Sequence, residues 1–128
     1  MLIRHNPSKI AAPLGTYSHG TEVSPNARWL YTAGQVAIDV NGACPEAFEA
    51  QVEVVYKNII AILESADMGL ENLVKITAFI VGQENFQTYA EVRKRLLGDV
   101  RPASTAIIVP SLVNSEWLVE VEAVAAKA

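Results

Sequence analysis

Apolar residues recur along this chain with two different periods, and the periods divide it into elements. Steps of three and four connect Phe48, Val52, Val55, Ile59, Ile62, Leu63 and Ala66, which predicts an amphipathic helix with Pro45 in its first turn and an end near Gly69. The same spacing through Phe86, Tyr89, Val92, Leu96 and Leu97 predicts a second helix over 85–98, stopped by Gly98. Stretches rich in β-branched and aromatic residues predict strands at 2–5, 17–23, 28–38, 72–81, 103–109 and 117–125. Gly34, inside the third of these, predicts a bulge or a close backbone approach.

The resulting order is β-β-β-α-β-α-β-β, which predicts an α+β fold: a two-layer sandwich of a mixed sheet with two helices on one face. Residues 118–125, "LVEVEAVA", show what the other face carries. In a strand, Val119, Val121, Ala123 and Ala125 share one side, while Leu118, Glu120, Glu122 and Val124 share the other. Two carboxylates then lie side by side, about 6.6 Å apart along the strand. Like charges on one face are unfavourable unless water, donors or a function compensate them. With 51% hydrophobic residues, the chain is too apolar for that whole face to stay in water, so it predicts oligomerisation through the face.

At 128 residues with no repeat or linker, residues 1–128 form one predicted domain. The net charge of −4 argues against a broad phosphate-binding surface, so no nucleic-acid partner is expected. The densest basic run, "RKRLL" at 93–97, reads as the solvated face of the second helix. A single cysteine, Cys44, excludes an intrachain disulfide and reads as an incidental thiol. No apolar run approaches the roughly 18 residues of a membrane span, and no signal peptide opens the chain. A cytoplasmic protein is expected.

Five segments, "APLGTYSHG" (12–20), "TAGQVAID" (32–39), "NLVKITAFI" (72–80), "RPAST" (101–105) and "LVEVEAVA" (118–125), resemble the YjgF/RidA family in order and spacing. The likeness covers essentially the whole chain and rests on the five together. It implies a chorismate-mutase-like sandwich, assembled as a homotrimer whose sheets line a central barrel, with a small-molecule site in each intersubunit cleft. The implied activity is hydrolysis of reactive enamines and imines to 2-keto acids and ammonia, without metal or cofactor. Such chemistry needs a cation for the substrate carboxylate, best an arginine fork, and a carboxyl group to move protons at the imine carbon.

By that resemblance Glu120 corresponds to a water-orienting glutamate, and Tyr17 to a tyrosine reaching into the neighbouring subunit's cleft. Gly34 corresponds to a glycine whose backbone frames the substrate, Thr105 to a residue whose carbonyl helps hold the water, and Phe86 to an aromatic at the rim. The departures cluster on one side. The family's carboxylate-binding arginine precedes the serine of "RST", where this chain has Ala103; Ala33 replaces a serine, and Ala90 a frequent asparagine. Arg101 either binds an anion in its place or caps the start of the strand beside Asp99.

Other roles compete for the same residues. Glu120 reads as a catalytic carboxylate or as a solvated or interface glutamate, Glu122 as structural, Tyr17 as a cleft residue or a half-buried strand aromatic, and His19 as a polar surface or interface residue rather than a base. The reading that follows is an enamine/imine deaminase of reduced or shifted specificity acting on a small carboxylate-bearing or carbonyl metabolite. Its competitor from another class is a ligand-binding or regulatory trimer that has lost hydrolysis. A nuclease is disfavoured by the acidic balance.

Overall fold

The computed structural model describes residues 2–128. Strands β1 (Leu2–His5) and β2 (Gly20–Val23) form a small antiparallel sheet. Five more strands build the main sheet: β3 (Arg28–Tyr31), β4 (Gln35–Val36), β5 (Leu73–Val81), β6 (Ala103–Val109) and β7 (Val119–Lys127). The order is β3-β7-β5-β6 with β4 also on β7, and only β5 and β6 run parallel. Helices α1 (Phe48–Ser65) and α2 (Phe86–Leu97) pack on one face. This is the predicted α+β sandwich.

The core lies between the layers. Val52, Val55, Tyr56, Ile59 and Leu63 of α1 and Tyr89, Val92 and Leu97 of α2 meet Ile76, Ala78, Ile80, Val119, Val121, Ala123 and Ala125. The alternation along β7 is as read from the sequence, with Glu120, Glu122 and Val124 on the far side. Register sets three rows across that far side: Glu120–Phe79–Ile107, Glu122–Thr77–Thr105 and Val124–Lys75–Ala103. Among the described residues no element covers these rows, and Trp29 and Tyr31, stacked 6.3 Å apart, extend the exposed face.

Several boundaries differ from expectation, each for a local reason. The strand predicted over 28–38 is broken at Thr32–Gly34, although Thr32 still exchanges two hydrogen bonds with Ala123, one through its hydroxyl. The segment expected as a strand from 17 is regular only from Gly20; before that, Ser18 alone bridges Ala103. Helix α1 starts after Pro45, whose carbonyl is held by the Gln51 side chain, and leaves its last turn at Asp67, in the left-handed region at φ 56°. Met68 N–H then reaches back to the Leu63 carbonyl, closing the helix before Gly69. The last strand begins at Val119, because Trp117 N–H turns back to the Asn114 carbonyl.

The basic run requires a correction. Lys94 and Arg95 are exposed, but Arg93 is only 5% exposed, packed between α2 and β6. Helix α2 ends at Gly98, with φ 59° and ψ −122°, a conformation strained for any residue with a Cβ. Gly98→Ala should therefore lower stability by about 1–3 kcal/mol, read as a lower urea midpoint at unchanged slope.

Candidate functional site

Most of the residues singled out in the sequence fall into two groups on this chain, on opposite sides of the sheet. The first is on the uncovered face. Glu120 is half-buried there, and Gly34, from the break between β3 and β4, lies directly against it. A Cβ on Gly34 would collide with Glu120 Oε2 and stand 2.9 Å from Cδ and 3.1 Å from Cγ. Gly34 needs no special φ, so what this position requires is room for the carboxylate. That is the close backbone approach expected from a glycine in a strand pattern. Thr105 shares the face, with its hydroxyl 2.7 Å from Lys75 Nζ. It lies in the Glu122 row, two strand spacings (about 10 Å) across and one residue pair along from Glu120.

The second group lines a cleft of about 450 Å³ on the helix side, at the edge strand β6. Its walls are Leu14, Tyr17 and Phe86, and its floor is Ala90, Arg93, Ser104 and Ala106. The Tyr17 hydroxyl accepts a hydrogen bond from Leu14 N–H at 3.1 Å, folding the 14–17 turn over the opening. His19 stacks edge-on to Tyr17 and bonds the Ala11 carbonyl, an exposed supporting role.

Arg101 joins neither group. Its Nη1 donates to the Gly98 carbonyl at 2.6 Å and the Val100 carbonyl at 3.1 Å, closing the turn after α2. Ala103 points to the uncovered face, and its N–H donates to Thr21 Oγ1 at 3.3 Å.

Arg93, placed by the sequence in a solvated basic run, is a cleft residue. Its guanidinium packs 5.4 Å from the Tyr89 ring centroid and donates through Nη1 to Ser104 Oγ at 3.3 Å. Its Nε has no partner, and among the described residues no carboxylate lies within 4 Å. Tyr89 in turn meets Tyr56, hydroxyl to hydroxyl, at 2.7 Å. Burial pushes the Tyr89 hydroxyl above its ordinary range, against the opposing pull of Tyr56 and Arg93, so the ring beneath the guanidinium is a neutral phenol. The signal was present in the spacing: Tyr89, Arg93 and Leu97 are four apart and share the buried stripe.

Comparison with known proteins agrees with this architecture. The sequence model of the family described as Endoribonuclease L-PSP matches residues 8–127. A RutC family protein of Aquifex aeolicus is 37% identical over 123 residues, covering 93% of this chain and 94% of its own. The 2-iminobutanoate/2-iminopropanoate deaminase of Mus musculus is 30% identical over 120 residues, covering 92% and 86%. Among solved structures, the Rid family protein YyfB of Yersinia pestis, described as of unknown function, superimposes with a TM-score of 0.88 at 26% identity, over 98% of both chains. The fold, the five segments in register and these matches together make the chain a member of the Endoribonuclease L-PSP family, the YjgF/Rid proteins.

Proposed function

We propose that this protein is a cytoplasmic homotrimer that hydrolyses small carboxylate-bearing enamines or imines to 2-keto acids and ammonia, with reduced or shifted specificity. The observation that carries the reading is the half-buried Glu120 carboxylate seated against Gly34 on a sheet face that no element among the described residues covers. A carboxylate so placed takes a proton from water as the water oxygen bonds to the C=N carbon and passes it to nitrogen, giving a carbinolamine. The carbinolamine hydroxyl proton then moves to nitrogen as the C–N bond breaks, leaving C=O and ammonia. Water is the only co-reactant, and the proposal includes no metal or cofactor. Thr105 would help hold the water through its carbonyl. Tyr17 and Phe86 would close the cleft from the next subunit, which brings the two groups together only in the assembly. The name of the mouse relative supports this substrate class. Ala103 lacks the fork expected for the substrate carboxylate, and Arg101 is engaged with backbone carbonyls.

The assay generates 2-iminobutanoate with a pyridoxal-phosphate lyase acting on threonine and follows 2-oxobutanoate in competition with a nucleophilic imine trap. Wild-type protein should divert imine from the trap to the keto acid in proportion to its concentration, whereas equal albumin should not. Ala103 favours a second reading, a trimer that binds without turnover. Thermal stabilisation by 2-oxobutanoate with no acceleration would establish that reading and overturn the first. RNA cleavage with steep salt dependence would overturn both.

The assembly has its own test. Light scattering should give about three times the 13.9 kDa chain mass, and a monomer persisting at micromolar concentration would remove the composite cleft.

A further inference from the structure

We infer that Arg93 is the carboxylate anchor of this cleft, so that the anion grip missing from β6 at Ala103 is supplied from α2. The inference rests on the reading above that the cleft receives a small carboxylate. It stands on the surroundings of the guanidinium. Arg93 is 5% exposed yet has no anionic partner among the described residues. Its Nε is unpartnered, and its one side-chain hydrogen bond to β6, to Ser104 Oγ, is long at 3.3 Å. A buried charge without a counterion is unfavourable, and a bound carboxylate would supply two acceptors to a fork that has spare donors.

Arg93 lines the cleft beside the backbone of the 14–17 turn. Nη2 lies 3.4 Å from the position a Cβ on Gly15 would occupy, so the guanidinium faces the bare backbone of the 14–17 turn. Gly15 has no side chain to block it, and Ala90 and Ala106 keep the adjoining floor low. Leu14 and Phe86 add an apolar wall, which suits a short hydrocarbon tail behind the carboxylate. The preferred ligand class is a small monocarboxylate with two or three apolar carbons. The floor of the cleft, lined by alanine on both α2 and β6, gives no second cation for a dicarboxylate.

Calorimetric titration of the trimer with 2-oxobutanoate and with its uncharged isostere 2-oxobutanamide tests this. Wild type should bind the carboxylate and bind the amide at least about tenfold more weakly. Arg93→Gln should lose roughly 10- to 150-fold in carboxylate affinity, the span of one charge-assisted contact. Arg93→Lys, which retains the charge but not the fork, should fall between the two. Should Arg93→Gln not fold, Arg93→Lys and Ala90→Leu remain; the latter fills the floor beside an intact Arg93 and should also abolish binding. Carboxylate affinity within twofold of wild type in a folded Arg93 variant would overturn the anchor while leaving the small-carboxylate reading intact. No binding of 2-oxobutanoate by wild type at millimolar concentration would overturn both.

Discussion

Glu120→Gln should slow imine hydrolysis by roughly 10²- to 10⁴-fold, and Gly34→Ala should slow it nearly as much while leaving the fold intact. The first substitution preserves shape and removes the group that accepts and returns the proton. The second tests position alone. An alanine methyl at 34 would occupy space now held by the carboxylate, 2.9 Å from its Cδ and in collision with Oε2. Gly34 is exposed and its φ needs no glycine, so the backbone can accept alanine and Glu120 must swing away. A displaced rotamer costs about 0.5–1.5 kcal/mol, which for a domain of this size shifts Tm by no more than about 6 °C. A large loss of rate with a small loss of stability would therefore locate the chemistry at the Glu120–Gly34 contact. Glu122→Gln is the internal control. Glu122 is exposed in the row beside Thr77 and Thr105, without a glycine seat, and its removal should change the rate less than about threefold. Full turnover in Glu120→Gln would end the assignment, and full turnover in Gly34→Ala would show that the carboxylate works from more than one position.

The fold was legible because its long elements obey one period each. Val119, Val121, Ala123 and Ala125 bury as a strict alternation predicts, and Val52, Val55, Ile59 and Leu63 as a helical stripe predicts. Polar residues on apolar stripes are the hard positions: the sequence reading sets Arg93 in water and does not place Gln51 at all. Arg93 follows Tyr89 by four and precedes Leu97 by four; Gln51 precedes Val55 by four and Ile59 by eight. A composition-based eye sets such residues in water, whereas helix geometry sets them in the core, where each must find a partner. The Glu120–Gly34 contact was legible in outline, since a glycine within a strand pattern signals a close approach. The split of the candidate residues between two faces of the sheet was not, because it depends on which strands pair. The parallel register of β5 with β6 turns Ser104 toward α2 and leaves Ala103 and Thr105 on the other side.

Gln51 carries the second large expected effect, on stability: Gln51→Leu should cost about 2–4 kcal/mol. The side chain is 1% exposed and engages three backbone groups. Its Nε2 donates to the carbonyls of Pro45 and Glu116, both at 2.9 Å, and its Oε1 accepts Leu118 N–H at 2.8 Å. One residue thus ties the loop before α1 and the loop before β7 to the helix layer. Leucine matches the volume and keeps the apolar stripe continuous, but leaves two carbonyls and one amide without their partners. An unsatisfied buried group costs about 1–3 kcal/mol, reduced here because Pro45 and Glu116 are not fully buried and water can reach them. Gln51→Glu separates hydrogen bonding from packing: it keeps the acceptor for Leu118 and loses both donors, so it should fall below leucine at neutral pH, where its charge would be buried beside two carbonyls. Leu118 is two residues before Glu120, so release of its amide should also loosen the strand that presents the carboxylate. The expected pattern is a lower urea midpoint together with a rate loss that 2-oxobutanoate binding does not share. A Gln51→Leu protein as stable as wild type would mean that water replaces all three bonds.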